Sequence, residues 1–320
     1  MNHYTYTFLL PAYKAKYLED VLISIKKQTF NNFNVLVSDD SSPENLKSIF
    51  NKVVGNDSRF SYRRNEENMG SKSLVSHWNL LVDMCDTDFF ILASDDDVYA
   101  PNFLEEINNL TEKYPNTNLF RGRVQQIDSD NNVTDREPPI DSYESKFEFL
   151  FGLYCRQRIG CIANYVYRTK LFKKKNGFPD FNYAWGSDEA SFFLMSEQGC
   201  CNTSNVVFSF RVSDSNITGS HNLKMHKKKV DAVYQFVLFF DSFSKQLEIP
   251  KGILGLNRRN RFISAFYKEK LSFLESQACF CDYRSMKKYC LFLKKRGFFT
   301  SWVDSIPYIW VWLRSRLFGL

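Results

Sequence analysis

The sequence predicts an α/β protein, with a mostly parallel sheet flanked by helices over residues 1–220 and an α-helical extension over residues 221–320. Three observations carry this. Short apolar, β-rich runs alternate with segments of helical period through the first part of the chain. Two of those runs end in consecutive carboxylates, Asp39–Asp40 and Asp95–Asp97, at the strand ends where open α/β sheets bind ligands. From Lys224 onward the period is helical.

The elements follow in order. Residues 4–10 (YTYTFLL) form a first strand ending at Pro11, and residues 15–27 a helix with Leu18, Val21, Leu22 and Ile25 on one face. Residues 33–37 form a second strand that runs into Ser38, Asp39 and Asp40; Ser42 then offers an N-cap and Pro43 a first helical position. Residues 59–63 are a weaker strand, 68–70 a turn, and 71–84 a helix carrying Leu74, Trp78, Leu81 and Val82. Residues 89–93 read as a short buried strand whose carboxyl end is the acidic triplet. Pro101, Glu105 and Glu106 then start a helix to Lys113. Residues 119–127 form a strand, and 128–142, polar with two prolines, a loop expected to be mobile. A helix at 147–154, a strand at 159–167, a turn at Asn176–Gly177, a helix opened by Asp188 and Glu189, and a strand at 206–212 complete this part. Beyond Lys224, a wide apolar face is formed by Val230, Val233, Val237 and Phe240, flanked by Phe236, Phe239 and Phe243. Further helices are expected at 258–275, 284–296 and 302–318.

Composition bounds the class. With 44% hydrophobic and 17% aromatic residues the chain can bury a core, which excludes a disordered protein. The net charge of +6 is uneven: residues 221–320 hold 19 Lys and Arg against 7 Asp and Glu, and residues 1–220 hold 23 against 29. An acidic part suits metal and polar substrate. A basic part suits anionic lipid or nucleic acid, or is a set of solvated helix faces. The eight cysteines show no zinc spacing and predict a reducing, cytosolic setting. The amino-terminal residues show no basic region with an apolar signal core, no run reaches the roughly 18 apolar residues of a membrane span, and no internal repeat is present.

Three adjacent carboxylates need compensation, from a solvated turn or from a hard divalent cation that prefers oxygen ligands. In a parallel sheet Asp39–Asp40 and Asp95–Asp97 face the same edge and can share a ligand. Asp188–Glu189 is a third acidic pair. One arrangement uses all three: a carboxylate on a nucleobase or ribose, a carboxylate holding a metal against a diphosphate, and a general base on an attacking hydroxyl. No G-x-G-x-x-G or G-x-x-x-x-G-K-[ST] is present, so metal and side chains must neutralise the diphosphate. Taken singly, each feature has a plainer reading. Asp39–Asp40 and Asp188–Glu189 can be helix-start acids, Trp185 core, Arg211 a structural ion pair rather than a phosphate contact, and His221 unrelated to a diphosphate.

The stretch FLLPAYKAKYLEDVLISIKKQTFNNFNVLVSDDSSPE, within residues 4–50, resembles the opening of family 2 glycosyltransferases of the GT-A fold. The matching motifs are Pro11–Ala12–Tyr13, Gln28–Thr29–Phe30, Asp39–Asp40–Ser41–Ser42, Asn68 with Gly70, Asn79, SDDDVYAP, GFPD at 177–180, WGSDE at 185–189 and VSDSNIT at 212–218, so the resemblance covers about residues 4–220. It implies that Pro11, Ala12, Tyr13 and Asp40 line a nucleobase pocket, with Asp40 on the base. Asp95 would lie near the ribose, Asp96 would hold Mn2+ or Mg2+ on the diphosphate, and Asp97 is a second metal candidate. Asp188 would deprotonate the acceptor hydroxyl, which displaces the nucleoside diphosphate with inversion. Many members have Glu-Asp where this chain has Asp188–Glu189, so Glu189 is the alternative base.

The activity implied is an inverting, metal-dependent glycosyltransferase, UDP-sugar favoured as donor, acting on a saccharide or lipid-linked saccharide in bacterial surface polysaccharide biosynthesis. The acceptor side is expected at 128–142 and 156–161. The alternatives are a catalytically inactive sugar-nucleotide-binding scaffold of the same fold, or a nucleotidyltransferase, which would want a basic Gly-rich loop that is absent here. The end of the chain sets Phe298, Phe299, Trp302, Trp310, Trp312 and Phe318 beside Lys294, Lys295, Arg296, Arg314 and Arg316. That pattern suits either peripheral contact with an anionic membrane or packing on the catalytic domain. The expected localisation is cytoplasmic, at the inner face of the cell membrane if the tail binds lipid. Nucleic acid is not expected, because the basic residues are spread over several helices without a recognised motif.

Overall fold

The first strand, β1 (Tyr6–Ala12), is apolar on both faces because it sits inside the sheet, between β2 (Phe33–Asp39) and β4 (Phe89–Leu92), parallel to both. The computed structural model describes residues 4–154, 157–213 and 223–244, together with Leu291. It divides into two compact units, Met1–Asn216 and Ile217–Leu320. The expected helices at 258–275, 284–296 and 302–318, the aromatic-basic tail, His221, Arg156 and the end of VSDSNIT lie outside the described residues.

The first unit is an α/β sheet flanked by helices. Its strand order is β3-β2-β1-β4-β9-β6-β10-β5, with β3 (Phe60–Arg64), β9 (Tyr165–Arg168), β6 (Leu119–Ile127), β10 (Cys200–Arg211) and β5 (Val98–Tyr99). The run β3-β2-β1-β4 is parallel, as the strand–helix alternation predicts; β9 then enters antiparallel to both β4 and β6, so the sheet as a whole is mixed. The carboxyl ends of β2 and β4 therefore lie at one edge, on either side of β1.

Helix α1 (Leu18–Lys26) buries the predicted stripe of Leu18, Val21, Leu22 and Ile25. Its exit is fixed by Gln28, whose side chain donates to the Ala100 carbonyl at 2.8 Å and accepts from Leu104 N at 2.9 Å, while Thr29 N donates to the Pro101 carbonyl at 2.8 Å. The Q-T-F motif is thus a clamp between α1 and the start of α4 (Phe103–Lys113).

Several boundaries differ from the sequence expectation, each for a local reason. Strand β1 continues through Pro11 to Ala12. Leu9 O accepts from Ala93 N and Ala12 O from Asp40 N, so Pro11 faces the β4 side beyond that strand's last residue, and its missing N–H breaks no ladder bond. Ser42 is not an N-cap: its hydroxyl donates to the Tyr13 carbonyl at 2.6 Å, and α2 (Leu46–Val54) is capped by Asn45, which accepts from Ser48 N. The helix expected at 71–84 is α3 (Gly70–Met84), interrupted at Ser73 (φ −151°, ψ 113°). The strand expected at 159–167 begins only at Tyr165, because the Ile159 N–H and carbonyl bond to the Glu137 and Arg121 side chains instead of a strand. Strand β10 starts at Cys200, hidden from the sequence by exposed Ser204 and Asn205 at a register shift.

The polar stretch 128–142 is not a free loop. Val133–Arg136 forms β7, exposed throughout, folded back on β6. Glu137, 3% exposed, then anchors the stretch: it pairs with fully buried Arg121 and accepts from Val124 N at 2.9 Å and Ile159 N at 2.6 Å. β8 (Tyr143–Glu144) follows, with Glu144 paired to Arg158. Helix α5 (Lys146–Tyr154) comes next, and α6 (Thr169–Lys174) follows β9.

In the second unit, α8 (Leu223–Ser244) buries Ala232, Val233, Phe236, Val237 and Phe240, and Gln235 and Leu238 are exposed. This is the predicted helical period. Among the described residues, no helix is long and apolar enough to cross a membrane.

Replacing Glu137 by Ala strands the Arg121 guanidinium without its counter-charge. The expected loss is about 3–5 kcal/mol of unfolding free energy, read from urea denaturation. A loss below about 1 kcal/mol would show that Tyr165 and the Ile159 carbonyl suffice for Arg121.

Candidate active site

The acidic turn begins where β4 ends. Ala93 N still bonds to Leu9 O, and the chain then turns through Ser94–Asp97. The three aspartates have different surroundings. Asp95 accepts from the backbone N–H groups of Tyr13 and Lys14, both at 2.9 Å, and so ties the turn to the loop after β1. Asp97, 2% exposed, accepts from Arg211 N at 2.8 Å and from the Ser94 hydroxyl, tying the turn to β10. Asp96 lies between them, half-buried. The structure therefore places Asp97, a metal candidate in the sequence, inside the protein with both oxygens engaged. Asp96 is left at the edge.

Burial raises the carboxyl pKa of all three. For Asp96 the charge of Asp95 adds to burial, and for Asp97 the charge of Asp96 does the same; for Asp95 the Lys14 and Tyr13 amides oppose it. The edge thus carries an electrostatic strain that a cation relieves. Among the described residues no group of three or more His, Cys, Asp or Glu could hold a metal ion. A cation here fits only the mode in which one or two carboxylates and a ligand's own phosphate oxygens share it, the usual habit of Mg2+.

Tyr13 stands on the same edge, 40% exposed, above buried Ala12 and half-buried Pro11. Its backbone is held at both ends, by Asp95 and by Ser42, so the ring projects from a fixed point. Asp39 is structural: it is buried, paired with Arg64, and accepts from Ser42 N and the Tyr62 hydroxyl. Asp40, 4% exposed, accepts from Asn65 Nδ2 at 2.8 Å, Met69 N at 2.9 Å and Gly70 N at 2.7 Å. It does act as a helix-start acid, but on the distant α3 rather than on the helix that follows it.

Beside Asp40 lies His77, fully buried. Its Nε2 is 2.9 Å from the Ser38 hydroxyl and 3.3 Å from Asn65 Nδ2, and its Nδ1 is 3.7 Å from Asp40. With two donors facing Nε2, the neutral tautomer protonated on Nδ1 fits the network. Asn65 and His77 escape a sequence reading. The only signal is that Asn65 follows β3 as Asp40 follows β2.

Helix α3 reaches from this cluster to the segment carrying the candidate base. Asn79 donates to the Phe178 carbonyl at 3.0 Å and accepts from Phe178 N at 2.8 Å; Ser73 donates to Asp180 at 3.0 Å. The segment then passes through left-handed conformations at Tyr183 (φ 55°), Ala184 (φ 58°) and Gly186 (φ 87°) before α7 (Ser187–Met195). The first two are unusual for residues with a Cβ and mark a held, strained turn. Asp188 and Glu189 sit half-buried in the first turn of α7, with Glu189 N bonded to Asp188 Oδ1 at 2.9 Å. Phe192 of α7 stacks on Tyr165 of β9 at 3.9 Å. Trp185 is half-buried. Arg211 is fully buried and bonded to the acidic turn, not displayed to solvent.

Comparisons with known proteins give the family and the fold. The family model for glycosyl transferase family 2 matches residues 7–174, half of the chain. The chain is 25% identical over 244 residues to the Escherichia coli protein UDP-Glc:alpha-D-GlcNAc-diphosphoundecaprenol beta-1,3-glucosyltransferase WfgD, covering 74% of this chain and 88% of that one. Two solved structures share the fold. Staphylococcus aureus TarS residues 1–349 with UDP-GlcNAc has a TM-score of 0.58 and 14% identity, over 98% of this chain and 91% of that one. The mannosyltransferase PcManGT from Pyrobaculum calidifontis with GDP-Man and Mn2+ has a TM-score of 0.53 and 13% identity, over 99% and 88%.

Burial lowers the His77 pKa below its ordinary value; Asp40 opposes this and Arg63 adds to it. The unfolded chain therefore takes up a proton near pH 6.5 that the folded chain refuses, so this contribution is full above about pH 6.5 and is lost as pH falls. Wild type is expected to lose more stability than His77→Gln between about pH 7 and about pH 5. Parallel melting curves for the two would contradict the assignment.

Proposed function

The chain belongs to glycosyltransferase family 2 and is a glycosyltransferase using a nucleotide sugar, and on that premise we propose that it transfers a sugar from a UDP-sugar to a saccharide or lipid-linked saccharide, with inversion and with a divalent metal. The observation that carries this reading is the placement of Asp96. Its neighbours on both sides are held by backbone amides, and it lies half-buried at the edge beside exposed Tyr13.

In this reading Tyr13, Pro11 and Ala12 form the floor for the nucleobase. Asp40 fixes the wall beside it and is the candidate for the base, and Asp95 lies towards the ribose. Asp96 holds Mn2+ or Mg2+, which when bound supplies positive charge against the donor diphosphate. Asp97 holds the turn.

Asp188 is the general base. Its carboxylate takes the proton of the acceptor hydroxyl as that oxygen bonds to the anomeric carbon, and the bond from that carbon to the diphosphate oxygen breaks. The nucleoside diphosphate leaves with the electron pair, and attack from the face opposite it inverts the centre. Glu189 is the alternative base.

The UDP-sugar donor is supported by the name of the 25%-identical relative, and by the ligand of a structural neighbour. The relative's diphosphoundecaprenol-linked acceptor supports a lipid-linked saccharide and surface polysaccharide assembly. We assign residues 1–220 to catalysis and 221–320 to a basic extension that meets the anionic inner face of the cell membrane. Its excess of 19 Lys and Arg over 7 Asp and Glu supports this.

Transfer from a panel of sugar nucleotides, with and without Mn2+ or Mg2+, tests the activity; metal-independent turnover would remove the role of Asp96. Asp188→Asn is expected to keep nucleotide binding and lose about 10²–10⁴-fold in transfer rate. Full activity in that variant, with loss in Glu189→Gln, would move the base by one residue.

A further inference from the structure

Arg211 is the last residue of β10 and its side chain is fully buried. Its contacts join the acidic turn to the end of β6 and to α1. Nε donates to the Asp96 carbonyl at 2.7 Å, and one terminal nitrogen reaches the Asp128 carbonyl at 3.3 Å. The other reaches the carboxylate of Asp20 on α1 at 3.3 Å, and the guanidinium lies 4.2 Å from the centre of the Tyr17 ring. In the reverse direction, the Asp97 carboxylate accepts from the Arg211 backbone N–H. Side chain to main chain and main chain to side chain, the two residues close a reciprocal clasp around the peptide of Asp96.

A buried guanidinium is a stronger commitment than a packing role needs. Desolvating it is costly, and an aliphatic residue fills the same space without that cost. What an aliphatic residue lacks is a rigid planar fork that fixes a carbonyl in direction as well as distance. The Asp96 carbonyl and the Asp96 side chain share one Cα, so fixing the first constrains the second.

We propose that Arg211 and Asp97 are positioning residues, a reciprocal clasp that fixes the Asp96 carboxylate in the direction from which it engages the metal-bound diphosphate. The clasp rests on the proposed donor site. Partners that orient a metal ligand without touching the metal typically change metal affinity by about 10–100-fold when removed.

The test uses the full-length protein and uridine diphosphate as probe, titrated calorimetrically with and without Mn2+. Arg211→Lys is expected to weaken Mn2+-dependent binding by at least about tenfold and to leave Mn2+-independent binding within about twofold. In the metal-free protein, hydrogen exchange at the amides of 94–98 is expected to accelerate. Asp97→Asn keeps an acceptor for Arg211 N and a donor for Ser94; it is expected to weaken binding less than Arg211→Lys, and the double variant no more than Arg211→Lys alone, since both act on one clasp.

Asp20→Asn, on a side chain 45% exposed, loosens the outer hold on the guanidinium and guards against a misfolded Arg211→Lys. It is expected to shift binding in the same direction, by about twofold or more. Unchanged Mn2+-dependent binding in a folded Arg211→Lys, or additive losses in the double variant, would overturn the clasp. If wild type itself binds uridine diphosphate with no response to Mn2+, the donor-site reading falls instead, a different result from the same titration.

Discussion

Three carboxylates in succession at the end of one strand repel one another, and much of the architecture around them answers that repulsion. The charges of Lys14 and Arg211 ease it, and main-chain amides hold the outer two carboxylates directly. Asp95 is held by two backbone amides of the loop after β1, and Asp97 by the amide of the last residue of β10. Hydrogen bonds of this kind contribute about 1 kcal/mol each, more where the carboxyl is charged, so the triplet ties three strands together at this edge. Compensation by fixed dipoles leaves burial in force, and the acids remain raised in pKa. The turn is held by these contacts while its acids stay raised in pKa, which under the proposed function suits a cation that would arrive with the donor.

Helix α3 carries the same logic to the other side of the site. Its first turn is gripped by Asp40, and the main helix restarts at Ser73, whose hydroxyl accepts from Ser76 N and donates to Asp180. One turn further on, Asn79 brackets Phe178 through both its backbone groups. Gly177 is required there: its φ is 73°, and a Cβ would lie 2.4 Å from the Asn79 amide oxygen. The segment leading to Asp188 is thereby fixed to the helix that Asp40 positions, so the candidate base and Asp40 are linked through α3.

The parallel half of the sheet and the acidic edge were legible because they depend on local periods. The apolar stripe of α1, the uninterrupted buried run of β4 and the strand β6 over 119–127 all follow from local patterns of apolar residues. What escaped depends on partners far along the chain. Asp40 and Ser42 look like signals for the helix that follows them, yet Asp40 serves α3 and Ser42 serves Tyr13. β7 is exposed at every position, so it has no apolar period to read, and β5 and β8 are two residues each. His77 carries no signal on α3, and the sequence favours a structural ion pair for Arg211 over a phosphate contact without showing the carbonyl partners that accompany it.

The stretch 128–142 and the described residues 157–161, from the segments expected to shape the acceptor side, meet in a braced wall. Glu137 joins Arg121 and the Ile159 backbone, and Glu144 joins Arg158 and Asn202. Buried pairs of this kind are weak contributors to net stability, because desolvation offsets their attraction. Their value lies in direction: a carboxylate that accepts from Arg121, Val124 N and Ile159 N has one place to be, whereas a hydrophobic contact of the same size tolerates sliding. Under the proposed function the acceptor therefore meets a surface set before it binds.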